Sequence, residues 1–226
     1  MVTLADGMWS GQSCLIVGGG PSLRGFNFRR CERNCPPGKW GTIAINKAGE
    51  CFLPDLWYGS DSVFWRKKAD PRHFEFHRTS NGRFPRVWVD TGEKHPGEDK
   101  VDVVVPCAAP PGTPNRHAAL AWGRSLAEGV GAGGNSGFAA LNLADVLGAE
   151  TIYLLGFDLR GENGKTANWH EGYGPKEVAN ASIYDRFLES FRWAASQVRA
   201  RVVVLEVRPG DSRLDCWPKI PAGEVL

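Results

Sequence analysis

The stretch CLIVGGGPSLRG, Cys14 to Gly25, decides how this chain is read. Its apolar run from Cys14 to Val17 passes straight into Gly18-Gly19-Gly20-Pro21-Ser22. Continuous rather than alternating apolarity marks a strand covered on both faces, as in a parallel sheet. A glycine turn at the carboxyl end of such a strand lies on the edge where open α/β sheets bind ligands. The three glycines let a ligand approach the main chain, Pro21 suits the first turn of a helix, and N–H groups at a helix start attract phosphate. The turn completes neither common nucleotide signature. A dinucleotide fingerprint needs a small residue where Leu23 stands, and a P-loop needs a Gly-Lys-Ser/Thr ending.

Similar runs recur along the chain: TIAIN at 42–46, DLWYGSD at 55–61, RVWVD at 86–90, VDVVVP at 101–106, TIYLLGFD at 151–158 and RVVVLEV at 201–207. Two helical patterns lie among them. One starts at Ser136 and sets Phe138, Leu141, Leu143 and Val146 largely on one side before a Gly148 stop; the other is longer and amphipathic, from Val178 to Ala200. This alternation predicts an α/β fold, a Rossmann-like, mostly parallel sheet flanked by helices in a single domain over 1–226. The segments 108–134 and 160–177 read as irregular loops next to the site, because long loops in a compact domain tend to be functional.

Composition narrows the function classes. The chain has 226 residues, 42% of them hydrophobic and 23% charged, which suits a folded globular domain. No apolar run of about 18 residues exists and the N-terminus lacks a signal-peptide pattern, so a cytoplasmic protein with no membrane contact is expected. Six cysteines are too few for a disulfide scaffold, and Cys14, Cys51 and Cys107 read as buried thiols. A net charge of +2 is far from a footprint that binds nucleic acid by charge alone. Basic and aromatic residues do pool in RGFNFRRCERNC and FWRKKADPRHFEFHRTSNGRFPR, a mixture suited to phosphates and stacked bases. His73 and His77, with Cys31 and Cys35 elsewhere, do not complete a four-ligand spacing, so no metal site is expected. Nothing in the sequence sets an oligomeric state.

Three further features carry candidate chemistry. Asn135 or Ser136 can cap the helix that follows them, and Gly133-Gly134 before it open its N-terminus to an anion. Asp61, at the end of a strand, suits a ribose, a metal or a helix cap. The strand 151–158 ends on Asp158, and a polar loop then brings Trp169-His170-Glu171. There a histidine can take a proton from an attacking hydroxyl while an acidic neighbour orients it. The tracts NGK and RPGD are turn signals.

In order along the chain, IVGGGPSL, AIN, GNSGFAALNLADVLGAETIYLLGFDL and a downstream loop histidine resemble the bacterial sialyltransferases of glycosyltransferase family 42. They are also similar to the wider group that holds motility-associated glycosyltransferases, 6-hydroxymethylpterin diphosphokinases and small phage proteins with a Trp-His loop. The resemblance touches both ends of 14–173 and leaves about 62–130 unmatched. It implies a GT-A-variant Rossmann-like fold, a nucleotide-sugar donor and metal-independent inverting transfer without a cofactor. On that reading Gly18, Gly19, Gly20, Pro21, Ser22 and Asn46 hold the nucleotide phosphate and ribose. Ser136-Gly137 meet the donor phosphate, and His170 is the base. The family has an asparagine where Gly19 stands and a tyrosine where Leu159-Arg160 stand, so Arg160, Lys165 or Tyr173 takes over the leaving group and a sialic acid donor is not implied.

The expectation is therefore a transferase acting on an acceptor hydroxyl, with a hydroxymethylated DNA base as one candidate acceptor. The alternatives are a pyrophosphokinase with Mg²⁺ on Asp61 and Asp158, and a nucleotide-binding module without chemistry.

Overall fold

The computed structural model describes residues 3–59, 85–92, 101–170 and 180–226. In chain order the main elements are β1 (Ser13–Val17), α1 (Arg29–Asn34), β2 (Trp40–Ile45), β3 (Leu56–Tyr58), β4 (Arg86–Asp90), β5 (Val103–Pro106), α2 (Ser136–Val146) and β6 (Thr151–Leu155). They continue with β7 (Gly161–Glu162), β8 (Lys165–Thr166), α3 (Ile183–Ala195), β9 (Arg201–Glu206) and β10 (Lys219–Pro221).

Eight strands form one sheet in the order β10-β9-β6-β1-β2-β3-β4-β5, and every pairing in it is parallel. The apolar runs explain the layering. Along β1, Cys14 and Ile16 face one core, built with Ile43, Ile152, Val204 and Phe138. Leu15 and Val17 face the opposite core, built with Ala44, Trp57, Trp88, Leu155 and Val203. With both faces covered, neither can be polar, and the strands lose the alternation of a half-exposed sheet. The fold is α/β and Rossmann-like, as the sequence predicts.

β1 is the pivot, lying between β2 and β6. The chain leaves β1 toward β2 on one side, and leaves β6 toward β9 on the other. The gap beyond the carboxyl ends of β1 and β6 is thus a topological switch point, where such sheets hold ligands.

Several expectations change in detail. α2 is not an amphipathic surface helix: Phe138 to Val146 are all buried, because the sheet covers one side while the 121–131 loop and α3 cover the rest. α3 is described only from Ile183, with Leu188, Phe191 and Ala194 turned inward. The 160–177 segment is not wholly irregular, since β7 and β8 pair as an antiparallel hairpin over 161–166. Its turn, Asn163-Gly164, has positive φ at both positions (51° and 72°), the conformation Asn-Gly supports best. β10 carries no sequence signal of its own and pairs with β9 through the crossover 207–218, which contains no helix.

Cys14 and Cys107 are buried as expected, Cys51 is half-buried, and all six cysteines are free. Burial pushes the Cys31 and Cys35 thiols up to about 12, so neither is a nucleophile near neutral pH. Among the described residues, no helix is long and apolar enough to cross a membrane.

Candidate functional site

The site begins where β1 and β6 end side by side. Gly18 N–H donates to Leu155 O and Gly20 N–H to Gly156 O, both at 2.8 Å, zipping the two exits together. A Cβ on Gly18 would stand 2.8 Å from Gly156 O, and one on Gly20 would stand 2.5 Å from Asp158 Cγ. Two of the three glycines are therefore required by the packing of the β1 and β6 exits against each other, in addition to any ligand the turn receives. Only Gly19 faces the polar loop, with Asn168 Oδ1 at 3.0 Å from its would-be Cβ.

Pro21–Leu23 form a single 3₁₀ turn, not the helix start that the sequence suggests. Its Ser22 N–H donates to Asp158 Oδ2 at 2.6 Å, and Ser22 Oγ donates to Asp158 Oδ1 at 2.7 Å. Burial pushes the Asp158 carboxyl above its ordinary pKa, and the two Ser22 hydrogen bonds pull it back. Each Asp158 oxygen thus accepts one hydrogen bond from Ser22. Among the described residues, no group of three or more His, Cys, Asp or Glu stands together as a metal site.

The second wall is the start of α2. Asn135 is its cap: Oδ1 accepts from Phe138 N–H at 2.8 Å, and Nδ2 donates to Ser190 Oγ at 3.2 Å. The cap expected of Asn135 is thus formed. Gly133 and Gly134 turn the chain with positive φ, and the Phe138 ring would lie 2.3 Å from a Cβ on Gly133. Gly137 has no room either, as its Cβ would meet the Phe157 ring at 2.7 Å. Its N–H donates to no described group.

The third wall follows β6. Ser212 Oγ donates to Phe157 O at 2.6 Å and Arg213 N–H to Asp158 O at 2.9 Å, while Arg160 donates to Gly210 O. These ties hold Leu159 in the left-handed region (φ 49°) that a branched side chain rarely adopts. Beyond the hairpin, Arg24 reaches Glu162 with both guanidinium nitrogens, at 2.5 and 3.0 Å, and Asn168 O at 3.0 Å. Trp169 N–H donates to Gly19 O at 3.1 Å, and the Tyr184 hydroxyl bridges the N–H and the carbonyl of Ala167. The Trp169 ring lies between Phe28 (5.2 Å) and His170 (4.9 Å). His170 is thus carried on a strap fixed at both the first glycine turn and α3.

Together these walls enclose a cleft of about 470 Å³, the size of a small-molecule site. Gly18, Gly19, Gly20, Pro21, Asn46, Asn135, Ser136, Gly137, Asp158, Arg160 and His170 all line it. Ser22 stands behind Asp158 instead. Asn46, directly after β2, also has positive φ (49°), and its carbonyl accepts from Trp57 Nε1. Asp61, Glu171 and Tyr173 lie outside the described residues, as do His73 and His77.

No known protein family and no curated protein matches this chain. The site must speak for itself.

Sequence reasoning missed His117, Asn168, Tyr184, Phe187 and Phe191, which also line the cleft. The 108–134 loop was expected near the site, but no motif singles out its histidine. Tyr184, Phe187 and Phe191 follow helical spacing and look like core residues until the sheet edge is in view.

Proposed function

We propose that this protein is a glycosyltransferase that moves a sugar from a nucleotide-linked donor to an acceptor hydroxyl. The observation that carries the reading is that His170 shares one cleft, at the sheet's switch point, with the N-terminus of α2. A proton acceptor and an anion-receiving edge are the two parts that a direct displacement needs.

In the proposed step, His170 takes the proton of the acceptor hydroxyl as its oxygen attacks the anomeric carbon. The bond from that carbon to the phosphate oxygen breaks, and its electron pair stays on the phosphate. The Gly137 N–H and Arg160 receive the charge that develops there, which makes attack from the opposite side inverting. Phe187 and Phe191 give the cleft an apolar wall. Both charge-receiving groups are the protein's own, so transfer should survive a chelator.

For the acceptor we propose a hydroxymethyl group on a DNA base. The support is a run of rings that ends on His170: Phe26 to Phe28 at 5.4 Å, Phe28 to Trp169 at 5.2 Å, and Trp169 to His170 at 4.9 Å. Exposed Arg29 and Arg33 belong to the same segment. Aromatic faces beside cations suit unpaired bases and their phosphates. Retention on hydroxymethylated single-stranded DNA that weakens with salt would support this acceptor. Equal activity on free sugars, with none on DNA, would remove it.

The donor reading is tested by the thermal stability of the purified protein with UDP-, CMP- and GDP-linked sugars and with ATP, each with and without Mg²⁺. A ligand at a hundred times its Kd adds about 2.7 kcal/mol. The reading expects stabilisation by a nucleotide sugar without metal. Stabilisation by ATP with Mg²⁺ alone would transfer the assignment to pyrophosphate transfer, and a nucleotide sugar that binds but is never consumed would leave a binding module.

A further inference from the structure

His117 is a cleft residue that neither the sequence motifs nor the proposed step uses. It lines the cleft beside the start of α2, and its carbonyl accepts the Gly134 N–H at 2.7 Å. Its Nδ1 is buried with no hydrogen-bond partner. Buried imidazole nitrogens are normally paired, so an unpaired one in a cleft calls for an explanation. No described protein group fixes Nδ1, so the ring is aimed by its backbone and by packing.

The surrounding loop is built to place that ring. Asn115 takes the left-handed conformation (φ 48°), and its side chain accepts from Ala118 N–H at 3.3 Å. Arg116 turns away from the cleft and donates to Ala109 O at 3.0 Å and Cys107 O at 3.1 Å, stapling the loop to the end of β5. A left-handed Asn115 and a spent arginine flank the histidine on one side, and the tie to Gly134 holds it on the other.

The charge balance identifies the partner. Asp158 is the one carboxylate among the described cleft residues, and Ser22 engages both its oxygens. The rest of the polar lining is rich in donors: His117, Arg160, Asn168 and the Gly137 N–H.

We infer that His117 is a second functional histidine, whose Nε2 hydrogen-bonds an anionic phosphate group beside the Gly137 N–H. This deepens the transferase reading and rests on it for the phosphate's identity as the donor's leaving group. His117 then stabilises the oxygen that keeps the electron pair when the sugar departs, while His170 holds the acceptor's proton. The two histidines have separate partners and no proton passes between them.

The test is calorimetric binding of inorganic pyrophosphate to the full chain at low ionic strength, comparing wild type with His117→Phe, His117→Gln and Arg201→Ala. His117→Phe keeps the ring and loses the donor, whereas Gln keeps a donor near the Nε2 position. A hydrogen bond to a charged group corresponds to about a ten- to hundredfold change in Kd. The expected result is that loss for His117→Phe, a substantial recovery for His117→Gln, and no change for Arg201→Ala at the far end of β9. Matching circular dichroism and Tm values exclude a folding defect.

Equal pyrophosphate binding by wild type and His117→Phe would overturn the inference, as would no binding to wild type at millimolar concentration. The two readings fail separately. Pyrophosphate binding that needs His117, without stabilisation by any nucleotide sugar, would leave the anion site standing and remove the transferase. Sugar transfer that is unchanged in His117→Phe would do the reverse.

Discussion

Asp158 at the end of β6 takes both the backbone N–H and the hydroxyl of Ser22, 136 residues earlier, at 2.6 and 2.7 Å. This pair ties the first glycine turn to the strand that leads into the His170 loop, and it does so with a carboxyl that burial pushes toward its protonated form. Ser22→Ala removes one of the bonds favouring the charged form and should cost about 1–3 kcal/mol near neutral pH.

The sign of its pH dependence follows. A carboxyl whose folded pKa lies above its unfolded value lends stability in acid, and that stability is lost as pH rises through the folded pKa. Ser22→Ala raises the folded value further, so the variant's deficit should be widest near neutrality and narrow as Asp158 is protonated. Urea unfolding of both proteins from about pH 7 down to about pH 4 checks this. A deficit that widens toward acid would contradict it.

Gly20→Ala tests the packing role of the glycine turn. Its Cβ would meet Asp158 Cγ at 2.5 Å and Gly156 O at 2.7 Å, so the β1 and β6 exits must part. Overpacking of this kind costs about 1–3 kcal/mol. Stability should fall even with no ligand present, which thermal unfolding of the free protein will show.

Asn142 holds the far side of the site. Wholly buried in α2, its side chain accepts from Gly123 N–H (3.0 Å) and Gly131 N–H (2.8 Å), and donates to Gly123 O (3.0 Å). Asn142→Leu strands those three main-chain groups and should cost at least about 2 kcal/mol. Because this loop runs back to His117, faster hydrogen exchange should appear across 115–131 before the rest of the chain.

Arg24 acts at a distance. Its pairing with Glu162 is half exposed, so Arg24→Ala should barely move the Tm. It also loosens the strap that bears Asn168 and His170. The turnover number should fall roughly tenfold or more while donor KM changes little, and a KM effect with unchanged turnover would place Arg24 elsewhere.

How far the site could be read beforehand depended on the kind of signal. The strands were legible because burial on both faces leaves an unbroken apolar run, and β4 at 86–90 matches its run residue for residue. The hairpin at 161–166 was half legible: Asn163-Gly164 signals a turn, but two-residue strands have no period to detect. Asn135 and His170 could be found because each sits in a local pattern, a cap before a helix and a histidine after a sheet-edge strand. His117 could not, since only the folding of 108–134 back over α2 brings it to the cleft. The glycines were half legible for a physical reason: sequence shows that a close approach is needed, but not that the neighbouring strand also makes one.

The central claim is that His170 removes the acceptor's proton during sugar transfer. The most direct measurement is nucleotide release from the best stabilising nucleotide sugar, with hydroxymethylated single-stranded DNA and excess chelator, for wild type and His170→Ala side by side. The account predicts release by wild type and a loss of roughly a hundredfold or more in the variant, with donor binding retained. Equal release by the two proteins, or none by wild type, would contradict it.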